Sequence, residues 1–144
     1  MSTLRLFIVG PGRLGCSISH ACSVHPGLEL CGVSYYSEQG RLRAKRWAGE
    51  SPVSSIGELK GLEGADLILL TVRDDVIGEV ARTLKERVTG EQAVAHTSGR
   101  LGCEAFDEVL LPCPLGSIHP LQSFVDPATG PERLNGCVMA LEGP

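Results

Sequence analysis

Apolar positions in this chain gather into short runs separated by stretches with a helical period. Leu4, Leu6, Phe7, Ile8 and Val9 make the first run, and Leu28–Tyr36 reads as a second strand. Ala65–Val72 is the strongest, with five large aliphatics and no alternation, as a central parallel strand covered on both faces requires. Between the runs, Cys16–Val24 carries Ile18, Ala21 and Cys22 on one side, and His25-Pro26-Gly27 ends that helix. Arg41–Gly49 is a basic helix expected to turn Leu42, Trp47 and Ala48 to the sheet. Val53 begins a short strand, and Ser55 with Glu58 forms a capping box for a short helix ending near Gly61. Asp74 or Asp75 caps a helix reaching about Val88, with Val76, Ile77, Val80, Ala81 and Leu84 as its apolar stripe. Glu91–Thr97 is a strand, Cys103–Leu110 a short helix, and Ser117–Leu121 and Cys137–Leu141 the last strands. Strands alternating with helices predict an α/β doubly wound parallel sheet in a single domain, and 144 residues suffice for its core.

Composition removes some functions. The net charge is −4 and the 13 basic residues are dispersed, which disfavours nucleic acid or an anionic membrane as a partner. No apolar run approaches the roughly 20 residues that cross a bilayer, and the first strand starts without a leader pattern, so a cytoplasmic protein is expected. Six cysteines (Cys16, Cys22, Cys31, Cys103, Cys113 and Cys137) form no C-x-x-C. Cys16 and His20 lie four apart on a helix but supply only two ligands, so buried reduced thiols and no metal site are expected.

The first strand runs directly into Gly10-Pro11-Gly12-Arg13-Leu14-Gly15, a G-x-G-x-x-G at a strand-to-helix turn. Such a turn needs its first glycine for tightness, its second so that a pyrophosphate can approach bare backbone, and its third for close helix packing. The amides and positive dipole end of the helix then face the anion. A merely structural turn is the competing reading. At the end of the second strand, an Asp or Glu would bind the ribose diol of NAD. Here the chain reads Tyr36-Ser37-Glu38, followed by Arg41 and Arg43. A hydroxyl with arginines suits the 2′-phosphate of NADP better than NAD, with Tyr36 against the adenine. Alternatively Arg41, Arg43, Lys45 and Arg46 are a solvated helix face.

Beyond Val72 the chain resembles a known family. LLTVRDDVIGEVA is similar to the V-P-D-D-x-I junction of a bacterial Rossmann-like, NADP-binding oxidoreductase family. His96-Thr97-Ser98-Gly99 and Ser117-Ile118-His119-Pro120-Leu121-Gln122-Ser123-Phe124 match its H-T-S-G and S-x-H-P-L-x-S-F signatures. The family is 6-phosphogluconate-dehydrogenase-like and related to the pyrroline-carboxylate reductases, and its substrate is not established. The chain departs from it with Arg73 where proline is usual and Tyr36 where many relatives carry arginine. The resemblance also implies a helical, dimer-forming domain after Pro144, so that a homodimer is one expected assembly. Either the sequence is a fragment, or the nucleotide-binding half stands alone.

In a doubly wound sheet ligands sit beyond the carboxyl ends of the strands. Val72 and Arg73, Thr97 and Ser98, and His119 with Gln122 and Ser123 should therefore converge over the nicotinamide. Hydride transfer to a small carbonyl or imine needs a proton donor, for which His96 or His119 is the candidate, and hydrogen-bond donors, for which Ser98, Ser123 and Gln122 are candidates. Each histidine could instead fix a loop. The competing function is a dinucleotide-binding sensor or interaction module without redox turnover.

Overall fold

A computed structural model describes residues 2–144. Seven strands form one sheet in the order β3-β2-β1-β4-β5-β6-β7: β1 (Leu4–Val9), β2 (Leu28–Tyr35), β3 (Val53–Ser55), β4 (Leu67–Leu70), β5 (Ala93–His96), β6 (Leu115–Pro120) and β7 (Met139–Glu142). Strands β1 to β6 are parallel, and β7 returns antiparallel on β6, pairing Ile118 with Leu141. The predicted sheet is thus present, with its last strand reversed. The reversal follows from the β6–β7 connection, which folds back through a 3₁₀ turn (Pro127–Thr129) and helix α4 (Gly130–Leu134). Gly130 packs so tightly on α1 (Arg13–Val24) that a Cβ there would lie 2.6 Å from the Ser17 Cβ.

The order reverses at β1, so β2 and β4 flank it and their ends open a crevice above it. β1 and β4 are covered on both faces. Phe7, Val9, Ile68 and Leu70 meet α3 (Ile77–Leu84) through Val80, Ala81 and Leu84, while Ile8 and Leu69 belong to the cluster built on Ile18 and Cys22 of α1.

Three local expectations are corrected. Helix α2 spans Glu38–Trp47, because Ser37 caps it by accepting from the Gly40 N–H at 3.1 Å. That earlier start sets the phase so that Gly40, Ala44 and Ala48 face inward and Leu42 points to solvent. No helix follows Ser55, whose carbonyl accepts from Glu58 and Leu59 in a turn. The Glu58 carboxylate pairs with Lys60 at 3.1 Å, and Leu59 takes a left-handed φ of 50° that ends any helical path. Neither Asp74 nor Asp75 caps a helix with its side chain. They sit in a 3₁₀ turn (Asp74–Val76) before α3, where their carboxylates pair with Arg100 and Arg73.

Candidate functional site

The turn after β1 is built from three glycines with different duties. Gly10 has φ 102°, and a Cβ there would lie 2.7 Å from the Thr71 carbonyl oxygen. At Gly15 a Cβ would lie 2.2 Å from the Gly10 carbonyl oxygen. Around Gly12 the space is open, with nothing within 4 Å of a Cβ position. Two glycines therefore permit internal packing, and the middle one leaves bare backbone at the surface of the crevice.

The turn's carbonyls are committed elsewhere. Thr71 Oγ1 donates to the Gly10 carbonyl at 2.7 Å, Arg43 Nε to Pro11 at 2.9 Å, and the Cys16 amide to Gly12 at 2.9 Å. No side chain caps α1, so the amides of Arg13, Leu14 and Gly15 in its first turn have no intrahelical acceptor. An anion is the natural complement of such an end.

Beside it lies a cavity of about 530 Å³. Gly10, Pro11 and Gly12 form its floor, Tyr36, Ser37 and Gly40 one side, and Thr71, Val72, Arg73, Val76 and Glu79 the other. Of the residues expected to hold a dinucleotide, Gly10, Pro11, Gly12, Tyr36, Ser37, Val72 and Arg73 meet here, with Arg13, Leu14 and Gly15 at the adjoining helix start. Arg41 does not line the cavity: both its Nε and its Nη2 donate to Glu38. Arg43, one helical turn beyond Gly40, is there instead. Of the two arginines expected near a 2′-phosphate, the cavity therefore takes Arg43. Ser37 has a double position, lining the cavity while its oxygen holds the Gly40 amide. The Tyr36 phenol is pushed up by partial burial and by the charge of Glu79.

The later motifs lie apart from this cavity. His96 is fully buried and its two ring nitrogens are occupied: Nδ1 accepts from the Ser98 amide at 3.1 Å, so Nε2 carries the proton it donates to the Gly102 carbonyl at 2.8 Å. The ring packs at 5.3 Å from that of Phe106. Such a ring has no free nitrogen to offer a substrate. His119 donates from Nδ1 to the Thr97 carbonyl at 3.0 Å, which leaves Nε2 as an acceptor against Gly99. It borders a second polar cavity of about 290 Å³ with Ser98, Arg100 and Glu142. The Ser98 oxygen accepts from the Arg100 and Leu101 amides, which leaves its own proton available. Gln122 accepts from the Ser123 amide at 2.9 Å, and both residues are exposed on the loop after β6. Thr97 lines a third, apolar groove of about 660 Å³. The three strand ends do not line one cavity: Ser98 and His119 border one shared with Ala140–Glu142 of the β7 side, and Val72 and Arg73 border that of the glycine turn.

The cysteines are free. Burial pushes the thiols of Cys16 and Cys22 up to about 11. Cys16 turns to the Pro11 carbonyl and His20 to that of Pro127, so the pair does not share a site. No group of three or more His, Cys, Asp or Glu residues suited to a metal ion occurs among the described residues, and no helix among them is long and apolar enough to cross a membrane.

A sheet reversing at β1, with a glycine turn and an uncapped helix at that point, defines a nucleotide-binding α/β class. The chain belongs to the Rossmann-like domain family, whose model matches residues 1–120. No curated protein matches it. Among solved structures it is similar to a candidate NADP oxidoreductase from Bacteroides fragilis, with TM-score 0.77 and 17% identity over 98% of this chain and 52% of that one. It is also similar to the Plasmodium falciparum pyrroline carboxylate reductase solved with NADP bound, with TM-score 0.69 and 17% identity over 100% and 49%. A third likeness is to the A. aeolicus prephenate dehydrogenase solved with NAD⁺ and hydroxyphenyl propionate, with TM-score 0.63 and 17% identity over 84% and 43%. The chain spans about half the length of the structures it matches.

Proposed function

We propose that this chain is the cofactor-binding part of an NADP-dependent oxidoreductase acting on a small carbonyl or imine compound. The observation that carries the proposal is the exposed backbone at Gly12, beside uncapped α1 amides and a cavity that extends to Tyr36 and Arg43. The oxidoreductase likenesses point the same way, since two of them concern NADP and one was solved with NAD⁺. Gly12 and the amides of Arg13 to Gly15 would hold the diphosphate, and Tyr36, Val72 and Val76 would flank the adenine. When bound, the dinucleotide supplies or accepts the hydride.

His119 is the better of the two histidines for moving a proton, because Nε2 is its uncommitted nitrogen and borders a polar cavity. Ser98 can donate to a substrate oxygen or nitrogen there. His96 holds the loop that carries Ser98 and is a positioning residue. The separation of the glycine-turn cavity from the His119 cavity favours a second reading, in which this chain binds the dinucleotide without turning it over by itself.

Fluorescence titration with NADPH and NADH tests the binding claim, and a panel of imines and 2-oxo acids tests turnover. Binding weaker than about millimolar for both cofactors, roughly 4 kcal/mol of affinity, would remove the dinucleotide reading. Tight binding without turnover on any substrate would select the second.

A further inference from the structure

Resting on the dinucleotide reading above, we infer that Arg43 is the specificity-determining residue for a 2′-phosphorylated dinucleotide, and that Arg41, nearer the end of β2, is silent. The two arginines lie two positions apart on α2, and their surroundings separate them. Arg41 closes a two-point ion pair with Glu38 on its own helix, which commits its Nε and Nη2 and leaves the pair without net charge. It is outside the glycine-turn cavity.

Arg43 projects from the next part of the helix to the edge of the glycine turn. Its Nε donates to the Pro11 carbonyl at 2.9 Å, which fixes the guanidinium plane beside the diphosphate position. Among the described residues its Nη groups have no hydrogen-bond acceptor and it has no carboxylate partner. Both Nη groups are thus available as a planar fork, the geometry that matches two phosphate oxygens. The other charged groups lining the cavity are already engaged or of the wrong sign. Arg73 is held by Asp75 at 2.8 Å, and Glu79 is a carboxylate. Arg43 also borders a smaller cavity of about 210 Å³ with Arg13, Arg46 and Asp126, where three guanidinium groups stand against one carboxylate. Ser37 and Gly40, across the cavity from Val72, leave room at the β2 end because neither carries a large side chain.

The arrangement also explains why an arginine immediately after β2 is dispensable here. The phosphate-facing cation comes from the second turn of the helix, and the small residue at Gly40 clears its approach. Gly40 lies against the Pro11 ring, where a Cβ would stand 3.3 Å from Cγ, so the helix sits close enough for a side chain from position 43 to reach the turn.

The test is the ratio of NADPH to NADH affinity, measured by titration of the full chain and of three variants, with 2′,5′-ADP and 5′-ADP as short probes. The unaltered protein is expected to bind NADPH at least tenfold tighter than NADH, and 2′,5′-ADP tighter than 5′-ADP. Arg43→Ala should weaken NADPH by tenfold or more and NADH by no more than about threefold, collapsing the ratio, which follows from losing one charge-assisted phosphate contact. Arg43→Lys should restore part of it. The double variant Glu38→Ala/Arg41→Ala should keep the ratio. An Arg43→Ala that weakens both cofactors equally makes Arg43 a brace for the Pro11 turn and overturns the inference. So does a ratio that moves only in the Glu38/Arg41 double variant, or an unaltered protein that prefers NADH; the dinucleotide site survives all three. Failure of both cofactors to bind overturns the site and the inference together.

Discussion

The proton on His96 Nε2 is spent on the carbonyl of Gly102, 2.8 Å away and six residues along the chain. Its other nitrogen holds the Ser98 amide, so one buried ring closes the loop 98–102 from both ends. Gly102 lies against the Glu142 carboxylate of β7, which would have to swing aside for a larger residue, since a Cβ there would stand 2.0 Å from it. The imidazole is thus a cross-brace between β5, this loop and the sheet edge.

Replacing it with alanine removes a buried ring packed on Phe106 and strands the Gly102 carbonyl. His96→Ala should cost about 3 kcal/mol of folding stability, a value set by the lost packing and the unpaired acceptor. Urea unfolding measures it. A loss below about 0.5 kcal/mol, typical of an exposed site, would mean that the ring carries no brace.

The three glycines of the first turn should separate cleanly. Gly15→Ala places a methyl 2.2 Å from the Gly10 carbonyl oxygen, a backbone atom that cannot swing away. It should destabilise the fold by about 2 kcal/mol or more, as forced overpacking does. Gly12→Ala meets nothing within 4 Å and should leave stability nearly unchanged. It should nevertheless weaken dinucleotide binding by tenfold or more, because the methyl occupies the approach of the diphosphate. Melting curves and cofactor titrations on the two variants test this opposition. Equal binding losses without a stability difference would contradict it.

Most of the sheet and the turn were legible from local pattern. Leu6–Val9 and Leu67–Leu70 are unbroken apolar runs, and G-x-G-x-x-G follows directly on the first, so neighbours in sequence carry the signal. The errors arise where side-chain partners decide. Ser37 reads in the sequence as a cofactor ligand, but it also caps α2 through the Gly40 amide, and the helix turns Ala44 inward and Leu42 to solvent. Ser55 Oγ reaches Glu58 Oε1 at 3.4 Å as a capping pair would, but Lys60 holds the other oxygen and the left-handed Leu59 ends the turn. The burial of His96 and the direction of β7 are set by pairings across the sheet, and no periodicity within their own segments encodes them.

Two buried thiols give stability a pH dependence on the alkaline side. Cys16 and Cys22 are almost wholly enclosed, and burial raises them from 9.0 to about 11. In the unfolded chain these thiols ionise near their ordinary value. Between about pH 9 and 11 the unfolded state therefore holds fewer protons than the folded one, and stability falls as pH rises. The contribution is complete below pH 9 and lost through the folded-state value. Denaturant midpoints from pH 8 to 11 should decline, and the decline should shrink in Cys16→Ala/Cys22→Ala. A thiol reagent at pH 8 should label these two positions only on unfolding, since protonated buried sulfur is unreactive. Native-state labelling of both at the rate of an exposed thiol would show that the α1 face is open.

His119 offers the sharpest separation of binding from chemistry. Its Nδ1 holds the Thr97 carbonyl at 3.0 Å and Nε2 borders the polar cavity with Ser98. Asparagine can reproduce the first contact, because its amide nitrogen takes the place of Nδ1, but it has no titrating atom in place of Nε2. His119→Asn should therefore keep the fold and the NADPH affinity while turnover falls by about 100-fold, the usual scale for losing a general acid or base. The pH dependence of the remaining rate should flatten, because the proton-carrying ring is gone. A rate and pH profile that survive the substitution would assign His119 to the loop alone, beside His96, and would leave Ser98 as the polar group in that cavity able to donate to a substrate.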